Sequence, residues 1–258
     1  MSWQLPQAQL IAVLLAGIRA AAWLAICPPF NGSMLPGPIK GLLSVALALP
    51  VAGPLSGQVS ALGTDNGARI LLAAGEQVVV GAALGFITAL FFAAAQAAGD
   101  LIDVFGGFSL SFAIDPLGTN QSSVFGRFYH IVAITLLFTS DAYRLVIRGF
   151  LQSYQTLPLN GTLSLTTLDR ILTHGIGDMF VAALQIAGPL LAVLFCADLA
   201  LGLLNRAAPA LNAFSLGFPA KILLVLSLGG AAIGLLPKAI HALIVPAVEA
   251  VVTVSGGH

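Results

Sequence analysis

Apolar residues in this chain fall in long unbroken runs. From Gln77 to Gly99 there are 23 residues without a charged side chain. Comparable runs occupy 7–27, 38–56, 76–99, 128–150, 178–204 and 214–236, with a further apolar stretch at 239–252. A helix that crosses a bilayer needs about 20 mostly apolar residues. The strands of a membrane barrel would instead show alternating segments of about 10 residues, and none occurs. The pattern predicts an all-α polytopic membrane protein with about six long hydrophobic helices. Turn formers cluster in 53–67, which reads as a loop. The stretch 151–177, with Pro158, Asn160, Gly161 and a Ser/Thr-rich tract, reads as the longest polar connection.

Composition sharpens that class. Hydrophobic residues make up 58% of the chain and charged residues 8%, whereas a soluble domain carries roughly 25% charged. Ten basic and ten acidic residues cancel, which leaves no electrostatic footprint for nucleic acid. Cys27 and Cys196 both lie in apolar runs and read as small core hydrophobes. The N-terminus lacks the basic region of a cleaved signal peptide, so the first run is expected to be retained. Basic residues near the helix ends are too few and too scattered to orient the chain. No hydrophilic domain or tandem repeat interrupts it, and residues 1–258 read as one membrane-associated domain.

Small residues and prolines mark where helices meet or break. Gly81 and Gly85 form a small-xxx-small pair extended by Ala89 and Ala93, and Gly230 and Gly234 form another. Such faces bring backbones close, either within one chain or between subunits. Pro189, Pro209, Pro219 and Pro237 are expected to kink or bound the last apolar runs.

Ionisable residues inside apolar runs are the candidate chemistry. Arg19 sits within the first run, Asp198 ends a charge-free stretch from Met179, and Lys221 interrupts 207–237. Asp198 and Asn205 are seven apart and share a helix face, with Arg206 alongside. A charge at the centre of a membrane helix costs at least ~2.5–3.5 kcal/mol, so partners are required. Two readings are open: an ion or proton relay, or structural pairing between helices or subunits. Asp100 and Asp103, at i and i+3, either hold a cation or share a proton, or simply meet water at a span's end. Glu76 suits a helix N-terminus. Zinc-helix, phosphate-loop and nucleophile-elbow motifs are missing, and the four histidines are dispersed.

These residues together carry a resemblance. Arg19, Pro28, Pro36, Lys40 and Pro50 lead into Glu76-x4-Gly81-x3-Gly85-Phe86. Then follow Gln96-x2-Gly99-x2-Ile102-Asp103, Gly107, Asp115-Pro116, Ser153 and Pro158. Last comes the block Leu203-Leu204-Asn205-Arg206-x2-Pro209-x2-Asn212-x-Phe214-x2-Gly217-Phe218-Pro219-x-Lys221. Order and spacing over nearly the whole chain resemble the FliR family of flagellar biosynthesis proteins, whose injectisome relatives form the T component of type III export gates. The 53–67 loop shows no family motif.

The resemblance implies a subunit of the bacterial inner membrane and flagellar basal body, without enzymatic activity or cofactor. It implies a P-like N-terminal portion and a Q-like C-terminal helical hairpin, wound into a helical cone partly raised out of the bilayer. Implied partners are the export-gate P and Q subunits, FlhA/FlhB-type export components, membrane lipid and unfolded flagellar substrates in transit, with energy from the proton-motive force and a partner ATPase. It also implies that the loop from Phe105 to Asp115 plugs the closed pore. The loop's own chemistry fits: Gly106 and Gly107 permit rearrangement, while Phe105, Phe108 and Phe112, flanked by Ser109, Asp115 and Pro116, suit a water-excluding gasket. Aromatic packing beneath a membrane helix is the competing reading of the same residues. Arg19, Gly81, Gly85, Asp198, Asn205, Arg206, Pro209, Phe218, Pro219 and Lys221 are expected to serve packing and subunit interfaces. An ion-coupled secondary transporter using Asp198 or the Asp100/Asp103 pair is the alternative function.

Overall fold

A computed structural model describes residues 7–32, 35–62, 67–108, 123–159, 165–208 and 216–229. Among them are α1 (Gln7–Ile26), α2 (Gly37–Leu62), α3 (Gly67–Gly106), α4 (Val124–Thr139), α5 (Tyr143–Thr156), α6 (Leu165–Ala207) and α7 (Leu216–Gly229), with no strand. Among the described residues four stretches are long and apolar enough to cross a membrane: α1, Gly37–Val59 of α2, α3, and Thr173–Ala207 of α6. The pair α4 and α5 makes a fifth if a break is allowed within one span. The all-α membrane class read from the sequence stands.

Several boundaries differ from the sequence reading. The expected loop at 53–67 is helical as far as Leu62, although Pro50 and Pro54 both lie inside α2. A proline in a helix interior costs about 3 kcal/mol, while burying a large aliphatic side chain contributes about 1.5–3. Ala52, Leu55 and Val59 are all at least 94% buried, so tertiary packing carries α2 past its own turn formers. The expected connection at 151–177 is also largely helical, because α5 runs to Thr156 and α6 begins at Leu165. Leu165, Leu168, Ile171, Leu172 and Ile176 recur at helical spacing within that polar tract. Pro189 lies inside α6 and does not end it.

The single span expected at 128–150 is two helices. They meet at Asp141, which takes a positive φ of 56° that aspartate tolerates better than most residues. Asp141 and Arg144 pair on the surface at 3.4 Å, a contact of little energetic weight. Gly230, Gly234, Pro237 and the 239–252 stretch lie outside the described residues.

The helices gather into two compact units. One holds α1, α2, α3 as far as Leu90, α5, and α6 as far as Ile176. Its core is built on Trp23, stacked on Phe150 at 4.5 Å, with Tyr154 edge-on to Phe150 at 5.5 Å. The other holds α3 from Phe91, α4, α6 from Gly177, and α7. At 1.5 Å rise, the 40 residues of α3 extend about 60 Å, twice the ~30 Å hydrocarbon core of a bilayer.

Candidate functional site

In the first unit the polar centre is Arg19, fully buried in α1. Its Nε donates to Gln77 Oε1 at 2.7 Å, reaching α3. Nη1 donates to the Ser153 carbonyl at 3.1 Å and to its Oγ at 3.4 Å, and Nη2 donates to the Leu157 carbonyl at 2.9 Å. The guanidinium also lies over the Tyr154 ring, 4.5 Å from its centre. Ser153 and Leu157 are the last turn and C-cap of α5, so the cation sits at the negative end of that helix dipole. Gln77 in turn donates to the Leu159 carbonyl at 3.2 Å, and Gln58 accepts the Leu159 N–H at 3.0 Å. Tyr154 donates its hydroxyl to the Ala16 carbonyl at 2.7 Å. Arg19 therefore joins three helices through uncharged partners.

The close approach of α1 and α3 depends on two glycines. A Cβ at Gly81 would strike the Arg19 carbonyl, and one at Gly85 would lie 3.0 Å from the Trp23 carbonyl and from Ile26 Cβ. The small-xxx-small pair thus serves a helix crossing within the chain.

In the second unit the described end of the expected plug loop meets α4. The Phe108 N–H donates to the Asp103 carbonyl at 3.0 Å, and Gly107 has φ +86°. This is the six-to-one bond and left-handed glycine of a Schellman cap. Gly107 thus serves the cap of a helix, a use that the sequence reading did not name. A Cβ on Gly106 would lie 2.8 Å from Val225, and one on Gly107 2.8 Å from Phe218, both on α7. Phe108 packs edge-on to Phe125 at 5.2 Å, while Phe105 is 43% exposed. Ser109, Phe112, Asp115 and Pro116 lie outside the described residues.

Asp100 and Asp103 are not a solvated helix end. Asp103 is 2% exposed, and its Oδ2 accepts the N–H groups of Phe125 at 2.9 Å and Gly126 at 3.4 Å. Ser123 precedes α4 as an N-cap: its Oγ accepts the Gly126 N–H at 2.9 Å and donates to the Asp100 carboxylate. Gly99 and Gly126 allow this approach, because a Cβ at Gly99 would strike the Phe125 carbonyl and one at Gly126 the Asp100 carboxylate and the Ser123 hydroxyl. Asp103 Oδ1, Tyr129 Oη and His130 Nδ1 are buried without a hydrogen-bond partner among the described residues.

Asp198 of α6 and Lys221 of α7 form an ion pair, as the pairing alternative required. They line a cleft of about 340 Å³ with Leu201, Gly202, Asn205, Gly217 and Phe218. Asp198 and Asn205 do share a face, while Arg206 and Pro219 are exposed and Pro209 lies outside the described residues. Reversing either charge alone is expected to lower the amount of folded chain. The double swap Asp198→Lys with Lys221→Asp should restore most of it, measured as protease-resistant protein in membranes. Recovery no better than the worse single variant would contradict the pairing.

Gln77 and Ser123 were missed by the sequence reading. A glutamine in an apolar run and a serine just before one are, respectively, signals of interhelical bonding and of a helix start.

Known proteins share this chain's sequence over most of its length. Residues 10–245 match the profile described as bacterial export proteins, family 1. The chain is 32% identical over 219 residues to the flagellar biosynthetic protein FliR of Pectobacterium carotovorum, covering 85% of this chain and 81% of that protein. It is 31% identical over 214 residues to FliR of Bacillus subtilis, covering 82% of each. The surface presentation of antigens protein SpaR of Shigella flexneri is 27% identical over 192 residues, 72% of this chain and 74% of that protein.

Proposed function

The chain belongs to the bacterial export proteins, family 1, and on that premise we propose that it is a core subunit of the flagellar type III protein export gate. It forms part of the inner-membrane channel through which unfolded flagellar proteins leave the cell, working beside P and Q subunits and FlhA/FlhB-type components in the basal body. The observation that carries this reading is the family match over residues 10–245, backed by flagellar relatives that exceed 30% identity over more than four-fifths of the chain. The transporter alternative has no support from these relatives.

Physical features agree with a subunit in an assembly. Large apolar side chains are exposed on several helices, among them Leu42, Leu71, Leu72, Leu203 and Leu223, each at least 68% exposed. Such surface needs lipid or partner helices to cover it. A helix of about 60 Å also exceeds what one bilayer core can cover, which fits helices partly raised into a cone. In this reading the N-terminal portion is P-like, the C-terminal hairpin is Q-like, and the segment from Phe105 to Pro116 closes the pore. The subunit performs no chemistry of its own.

Two experiments test the proposal. A strain lacking the chain is expected to secrete no hook or filament protein until the gene is restored; undiminished secretion would refute the role. Replacing Phe108 and Phe112 by alanine is expected to raise the ion leak of the closed gate several-fold while assembly is kept. An unchanged leak would remove the gasket and leave only aromatic packing.

A further inference from the structure

The contact between the end of α3 and the start of α4 is more elaborate than helix capping requires. Ser123 alone supplies the local N-cap of α4. Asp103 adds a second cap from another helix, taking the N–H groups of Phe125 and Gly126, and Asp100 takes the Ser123 hydroxyl. Both carboxylates thereby meet the N-terminal end of α4. Glycines on both sides, Gly99 and Gly126, make room for this approach. A borrowed cap is not needed for α4 to form; its effect is to fix two helices to each other. One further observation argues against packing as the whole cause. Asp103 Oδ1 is buried and has no hydrogen-bond partner among the described residues, an energetic cost that helix capping alone does not explain.

We propose that Asp103, with Asp100 and Ser123, is a positioning group that holds the end of α3 and the start of α4 at a fixed separation and so sets the closed state of the gate. The role rests on the export-gate function proposed for the chain. It predicts that weakening the clamp loosens the two helix ends and raises the leak, in proportion, without loss of assembly.

The test uses the full chain assembled with its partner subunits. Val104 and Val124, both about 60% exposed, flank the clamp and accept spin labels as Val104→Cys and Val124→Cys once the exposed Cys196 is replaced by serine. Pulsed electron resonance then reads the distance between α3 and α4. A single narrow distribution is expected with Asp103 intact and a broad one in Asp103→Ala. Asp103→Asn, which keeps a carbonyl acceptor but no charge, should fall between them. Closed-gate ion leak should rise in the same order, several-fold in Asp103→Ala. Ser123→Ala, a milder change, carries the same comparison if Asp103→Ala does not assemble. A distribution that stays narrow in these variants would overturn the clamp and leave the gate reading standing. Loosened helix ends with an unchanged leak would overturn the positioning role. A parent chain that never joins partner subunits would refute the gate reading itself, and the proposal with it.

Discussion

Replacing Arg19 by alanine is expected to prevent stable folding of the N-terminal unit. The guanidinium is fully buried, and its hydrogen bonds tie α1 to Gln77 on α3 and to the Ser153 and Leu157 carbonyls at the end of α5. Alanine would strand the Gln77 and Leu157 acceptors, at about 1–3 kcal/mol for each buried group left unsatisfied, while the Ser153 carbonyl keeps the Leu157 N–H. It would also open a cavity beside Tyr154, whose ring now lies under the cation. The sum exceeds about 4 kcal/mol, against a typical total stability of about 5–15. Lysine should rescue only in part, because a single ammonium cannot reproduce a planar fork that reaches α3 and α5 at once. The measurement is the steady-state level and protease resistance of the protein in membranes. Accumulation of Arg19→Ala at the parent level would show that the network is dispensable.

Gly81→Val is expected to be as damaging as the loss of Arg19. The added Cβ meets the carbonyl of Arg19 itself and lies 2.9 Å from Ala22 Cβ. A helix carbonyl cannot move aside alone, so α1 must shift and Arg19 leaves Gln77. At Gly85 the corresponding contacts are 3.0 to 3.4 Å, so Gly85→Ala should cost about 1–3 kcal/mol, the range for overpacking. Gly53 and Gly57 in α2 provide the control, since a Cβ at either meets nothing within 4 Å. Alanine there should be neutral or stabilising by up to about 1 kcal/mol through helix propensity. Because Gly81 and Arg19 share one contact, their substitutions should be strongly non-additive. Equal effects at Gly81 and Gly53 would contradict the α1–α3 crossing.

The fold class was legible in the sequence because several apolar runs of bilayer length, with so few charges between them, cannot be covered by a water-facing surface. The need for partners at Arg19 and Asp198 was legible for the same reason. The partners were harder to read. Arg19 is satisfied mainly by backbone carbonyls and a glutamine, and carbonyls leave no trace in residue identity. Lys221 stood out as a charge inside an apolar run, but that it answers Asp198 came only with the structure. Propensity misled at α2, where Gly53, Pro54 and Gly57 spell a loop but buried Ala52, Leu55 and Val59 hold a helix. It misled again at 128–150, where apolar content hid the turn at Asp141. Asp103 was legible as an acid at a helix end, yet its use as a cap for α4 required knowing which helix comes back to meet it.

The central claim is that this chain is one subunit of a hetero-oligomeric gate. The most direct measurement is its native mass in mild detergent, expressed alone and then together with candidate P and Q subunits. A large complex holding one copy of this chain, formed only on co-expression, is the predicted result. A stable monomer or small homo-oligomer that ignores those partners would contradict it.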